Sequence, residues 1–135
     1  MYVIQIQVGK STINGSGVFA SNDIEKGEIV WEFTKGHDIK ISPAEYNKLD
    51  EHSKKDVDKV GYLSPSTNLY VFPPKDDPAR FTNHSSNNNL TAVFDSKISD
   101  EPYFISNRNI KRGEELTNNY MEFDKVAQSA KPSWA

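Results

Sequence analysis

Cysteine is absent from this 135-residue chain. Its absence excludes disulfides, thiolate zinc sites, iron–sulfur clusters and a cysteine nucleophile. Long apolar runs are also missing, so no segment reads as a membrane-spanning helix, and no membrane partner is expected. Basic stripes are missing as well. The nearest, Lys54-Lys55 and Lys111-Arg112, hold two residues each, and the net charge is −3. Direct nucleic-acid binding is therefore not expected. The start, Met1 to Val8, alternates apolar residues with Gln and lacks the basic-then-apolar pattern of a secretory signal. An intracellular protein is expected. Leucine is scarce: Ile and Val outnumber it by 19 to 5. Branching at Cβ favours strands, so the expected fold is mainly β with short helices.

The length fits one domain. Ile4, Ile6 and Val8 carry the two-residue period of a half-buried strand. Further strands are expected at 18–20, 29–33, 39–41, 69–72, 91–94 and 103–106. Ser42-Pro43-Ala44-Glu45 predicts a capped helix start, with Ser42 and Glu45 exchanging bonds and Pro43 at the first helical position. The spacing predicts a helix to about His52, and the charged stretch 51–59 reads as a solvated helix face or a loop. Ile24-Glu25-Lys26-Gly27-Glu28 echoes Ile110-Lys111-Arg112-Gly113-Glu114. Two similar turns and an internal duplication both fit that echo.

Three segments carry candidate chemistry. Gly15-Ser16-Gly17 is a tight turn that lets main-chain groups approach a ligand, but it lacks the spacing of a dinucleotide site. Arg80-Phe81-Thr82-Asn83-His84-Ser85, running on to Asn89, is dense in hydrogen-bonding groups. His37 and His52 offer no metal-ligand spacing, so no metal is expected. Glu114-Glu115-Leu116-Thr117-Asn118-Asn119-Tyr120 follows the last glycine turn; taken alone, its carboxylate pair reads as solvated.

In this order, the three segments resemble the SET-domain protein-lysine N-methyltransferases, in a minimal bacterial or viral form without cysteine-rich zinc segments. The resemblance covers about residues 1–123. It implies a β-clip fold of small curved sheets, in which the Asn83-His84 segment and the C-terminal segment form a pseudoknot-like crossing. It implies S-adenosylmethionine as cofactor, S-adenosylhomocysteine as product, and a protein or peptide substrate presenting a lysine. By resemblance, Gly15, Ser16 and Gly17 approach the methionine part of the cofactor. Asn83 bonds its polar groups, His84 lies near the adenine, and Arg80 and Phe81 line the same pocket. Tyr120 is the catalytic phenol beside the transferring methyl. By resemblance, residues 124–135 form a tail that covers the cofactor, and a C-terminal aromatic lies over the adenine, with Trp134 the first candidate and Phe123 the second.

Some positions depart from the commoner family pattern. Thr34 precedes Gly36 where a Tyr is frequent, Ser86 replaces a Cys, Asn88 a Pro and Asn119 an Asp. Asn118 stands where a Phe or Tyr often helps set the number of methyl groups. Thr34 and Asn118 thin the aromatic lining of the lysine channel. A SET-fold module that binds cofactor or peptide without turnover is the alternative reading, and a small β-rich interaction domain is a third. Both monomer and homodimer remain open. A cytoplasmic location fits, as does delivery to a host nucleus if the source is a pathogen.

Overall fold

The computed structural model describes residues 1–129. In chain order the strands are β1 (Ile6–Lys10), β2 (Ser16–Ala20), β3 (Ile29–Trp31), β4 (Ile39–Ile41), β5 (Tyr62–Leu63), β6 (Tyr70–Phe72), β7 (Asn83–His84), β8 (Leu90–Val93), β9 (Tyr103–Ser106) and β10 (Glu115–Asn118). Helices α1 (Pro43–Asn47) and α2 (Glu51–Val60) lie between β4 and β5, and α3 (Lys125–Ser129) follows β10. The strands build three small sheets, with orders β1-β2-β10-β7, β3-β9-β8 and β4-β6-β5. The mainly β expectation holds.

Local chemistry explains the helix starts. The Ser42 hydroxyl accepts from the Glu45 N–H at 3.1 Å, and the Ser42 N–H donates to the Glu45 carboxylate at 3.0 Å. This capping box is the one the sequence predicts. The helix is shorter than expected, however, and ends at Asn47. Asp50 then caps a second helix by accepting from the Ser53 N–H at 2.7 Å. The charged stretch is therefore helical, with Val57 as its one buried residue.

The internal echo proves to be one turn used twice. Gly27 and Gly113 have φ of 91° and 89°, the left-handed region where glycine carries no Cβ penalty. Glu28 takes the Glu25 N–H at 2.6 Å, and Glu114 takes the Lys111 N–H at 3.1 Å. The two turns are joined to each other through Ile24 and Ile110, each N–H donating to the other's carbonyl at 2.8 Å. Both isoleucines are buried in the core with Val18, Val30, Leu90, Phe104 and Leu116. Each turn thus feeds a strand into the centre of the domain, β3 in one case and β10 in the other.

β10 organises the functional part. It pairs antiparallel with β2 and parallel with β7, setting Thr117 opposite Asn83 and Asn118 opposite His84. Asn89 locks this crossing from inside the core. It is 3% exposed, donates to the Glu115 carbonyl at 2.8 Å and accepts the Thr117 N–H at 2.9 Å. A buried side-chain amide that satisfies two main-chain groups is a specific clamp, because either group left alone would be unpaired away from water.

Candidate active site

Side chains alternate along an extended segment, so Thr82 and His84 share one face and Asn83 takes the other. The structure follows this division. Tyr120 meets the first face: its hydroxyl donates to the Thr82 carbonyl at 3.3 Å and its N–H to His84 Nδ1 at 3.1 Å. The His84 and Tyr120 ring centroids are 5.2 Å apart. Thr82 Oγ1 in turn shares a 2.7 Å hydrogen bond with the Tyr2 hydroxyl.

Tyr2, Thr82 and Tyr120 border a narrow cavity of about 60 Å³ whose lining also includes Trp31, Tyr62 and Asn118. Its wall is aromatic and interlocked. Phe123 meets Tyr62, Phe104 and Tyr120 edge-to-face, with centroids 5.3, 4.9 and 5.7 Å apart. Such pairs are each worth about 0.5–1.5 kcal/mol beyond burial, so the wall is held rather than loosely filled. The Tyr62 hydroxyl is anchored on buried Glu101 at 3.3 Å. Burial pushes the Tyr120 phenol up to about 12, with Asp124 nearby adding to the shift, so the phenol stays protonated at neutral pH. Burial also lowers the His84 imidazole below its usual value, consistent with Nδ1 acting as an acceptor. Among the described residues, Asn118 Oδ1 is buried and accepts no hydrogen bond.

Asn83, on the opposite face, reaches the β1–β2 turn. Its Nδ2 lies 3.0 Å from the Ser16 carbonyl, 3.2 Å from the Asn14 carbonyl, 3.1 Å from Ser11 Oγ and 2.8 Å from Glu115 Oε2. Gly15 takes a φ of 47° to make this turn. Gly17 leaves room for the Glu115 carboxylate, whose Oε2 a Cβ there would displace.

Among the residues singled out in the sequence, Gly15, Ser16, Gly17 and Asn83 come together in the polar cluster, while His84 meets Tyr120, and Tyr120 lines the aromatic cavity. Arg80 also lines that cavity, and its guanidinium bonds Asp56 of α2 at 2.6 Å. Phe81 is 46% exposed on the short 3₁₀ turn that precedes β7. Trp134 lies outside the described residues. The sequence reading missed Tyr2, Ser11, Thr82 as a Tyr120 partner, and Glu115. Glu115 did carry a signal: it stands two residues before Thr117 on β10, and so shares the face opposite Asn83. Away from both clusters, ligand-type atoms of His37, Asp38 and Asp77 lie within 4.8 Å of one another, a grouping that no sequence spacing announces. Each carboxylate there already has a basic partner, Met1 N on Asp38 at 2.9 Å and His37 on Asp77 at 2.6 Å.

A small three-sheet β domain in which an Asn-His strand lies parallel to a late strand, with a tyrosine two residues beyond that strand at the edge of an aromatic cavity, defines a class of β-clip proteins. The SET domain family model matches residues 15–121, and the chain belongs to that family. It is similar to Histone-lysine N-methyltransferase 2D of Homo sapiens and of Mus musculus, 33% identical to each over 125 residues. That match takes in 88% of this chain and 2% of each relative. The chain thus spans a small fraction of the curated proteins it resembles. Among solved structures, a ctPRC2 chain is 29% identical at a TM-score of 0.62, covering 87% of this chain and 14% of that one. A Plasmodium falciparum protein classed with histone methyltransferases shares the fold at 22% identity and a TM-score of 0.58, over 98% of both chains. No helix among the described residues is long and apolar enough to cross a membrane.

Proposed function

We propose that this chain is a protein-lysine N-methyltransferase that uses S-adenosylmethionine. The observation that carries the reading is that Tyr120 and Asn118 line one narrow aromatic cavity, beside the strand that holds Asn83. A slender aliphatic side chain ending in nitrogen suits such a cavity.

The residues present also fit the cofactor. Oxygens of Ser11, Asn14, Ser16 and Glu115 converge around one amide nitrogen, leaving more acceptor capacity than its two hydrogens can fill. A cationic amino-acid end suits a donor set of this kind. Asn83, the Gly15-Ser16-Gly17 turn and His84 are the groups we assign to it. Arg80 and Phe81 we place at its margin. When bound, S-adenosylmethionine supplies a methyl carbon activated by a sulfonium.

The chain's own residues then do three things. The aromatic wall of Trp31, Tyr62, Phe104 and Phe123 excludes water. A lysine amine has a pKa of about 10.4 in water. Entry into a dry aromatic channel lowers it and favours the neutral form, which bears the free lone pair. Tyr120, held protonated and donating to Thr82, is the phenol we assign beside the methyl carbon, where weak C–H···O contacts act. Positioning is the main lever, because a well-oriented pair gains roughly 7–11 kcal/mol over free encounter.

We assign residues 1–123 to the catalytic domain and 124–135 to a C-terminal segment. Its described part is anchored where Asp124 takes the Leu63 N–H at 3.1 Å. The proposal places the protein inside cells, acting on proteins that present an accessible lysine. Incubation with methyl-labelled S-adenosylmethionine and a panel of basic proteins tests it. Labelled methyl-lysine is expected with the native protein. Cofactor binding without transfer to any protein would point to a binding module, and no cofactor binding would remove the reading altogether.

A further inference from the structure

The polar cluster around Asn83 is short of both hydrogens and positive charge. One amide nitrogen with two N–H groups faces four oxygens at 2.8–3.2 Å. Turning the amide round would set its oxygen against those same four, so the nitrogen orientation is secure. Ser11 Oγ donates its single proton to Glu115 Oε1 at 2.7 Å and accepts from the Ile13 and Asn14 N–H groups at 2.9 and 3.3 Å. Glu115 therefore receives two neutral donors, and among the described residues no Lys, Arg or His pairs with it. The Gly17 position is kept empty by the carboxylate itself, since a Cβ would lie 2.4 Å from Oε2 and 2.8 Å from Cδ. The result is a half-buried carboxylate pressed against a glycine strand, beside two outward main-chain carbonyls, with its charge uncompensated.

A primary ammonium has three N–H donors and one positive charge. We propose that Glu115 is a further ligand-binding residue that takes the α-ammonium of the cofactor's amino-acid end, with the Asn14 and Ser16 carbonyls as the remaining acceptors. This rests on the cofactor assignment made above. It gives Glu115 a role apart from strand pairing: it is the charge that distinguishes a nucleoside thioether carrying an amino-acid end from one without it.

The test is calorimetric and uses the whole chain. Affinities are measured for S-adenosylhomocysteine, for its deaminated analogue and for 5′-methylthioadenosine, with the native protein and with Glu115→Gln. The native protein is expected to prefer S-adenosylhomocysteine over the deaminated analogue by roughly 10- to 100-fold, the range of a charge-assisted hydrogen bond. Glu115→Gln should erase most of that preference and leave 5′-methylthioadenosine affinity within about twofold, because Gln keeps the size, still accepts from Asn83 and can donate its N–H to a reversed Ser11 hydroxyl. Equal native affinity for the amine and its deaminated analogue overturns the inference without any variant. An equal loss for all three ligands in Glu115→Gln also overturns it, by showing a structural role. A native protein that binds none of the three removes the cofactor assignment, and this inference with it.

Discussion

Tyr120 and Thr82, 38 residues apart, are joined by the phenol, which donates to the threonine carbonyl at 3.3 Å, while the Tyr120 N–H donates to His84, two positions after that threonine. The early Asn-His strand thus fixes both the main chain and the hydroxyl of the late tyrosine. A hydroxyl held in this way is positioned before any ligand arrives.

Tyr120→Phe should therefore lower methyl transfer by about 10²-fold, the scale of a misplaced reacting group. Folding stability should change by only about 1 kcal/mol, because one hydrogen bond to a main-chain carbonyl is lost. Labelled transfer assays and urea midpoints read the two quantities separately. A variant as active as the native chain removes the phenol from the chemistry.

The pH dependence follows from His84. Its folded pKa is lowered by burial, so the folded state binds fewer protons than the unfolded one as pH falls below the ordinary histidine value. The stability it contributes is present above about pH 6.5 and is lost as pH falls through the lowered folded value. Protonation also removes the Nδ1 acceptor from the Tyr120 N–H. Urea midpoints and transfer rates should both decline on the acid side. On the alkaline side the Tyr120 phenol, pushed up to about 12, leaves activity unaffected through pH 9. His84→Gln should flatten the acid decline in stability; an unchanged decline would assign it to other groups.

Much of this arrangement was legible in the sequence, for identifiable reasons. The Ser42 capping box and the paired Gly27 and Gly113 turns are local, so short motifs announce them. The meeting of the Asn83-His84 strand with the segment that ends in Tyr120 was legible through family likeness and not through periodicity, because β7 is two residues long and carries no hydrophobic pattern. Tyr2 and Ser11 were hidden because their partners, Thr82 and Glu115, lie 80 and 104 residues away. The break between α1 and α2 was hidden as well: Asp50 caps a helix inside a stretch whose charge pattern fits one continuous helix equally well.

Two glycines in one turn should respond differently to the same change. Gly15→Ala meets no atom within 4 Å and suffers only the strain of a φ of 47°, about 1 kcal/mol. Gly17→Ala must displace the Glu115 carboxylate and break its bonds to Ser11 and Asn83. Calorimetry should show S-adenosylhomocysteine affinity falling at least about tenfold in Gly17→Ala, as expected when a charged acceptor is moved, and little in Gly15→Ala. Similar losses in both would mean that the turn acts through its backbone alone.

Asn118 sets stability against function. Its Oδ1 is buried without a partner, and such an acceptor costs about 1–3 kcal/mol relative to a satisfied or apolar group. An apolar side chain of similar volume relieves that penalty, so Asn118→Leu should raise the urea midpoint. The same change removes a polar side chain from the lining of the cavity that Tyr120 borders, so kcat/KM for a lysine peptide should fall by about tenfold, the worth of one hydrogen bond to a charged or polarised group. Opposite movement of the two measurements is the signature of a residue retained for substrate rather than for the fold. A variant that is more stable and fully active would show that the unpaired oxygen serves no substrate, and a variant that is less stable would show that it has a partner in solution.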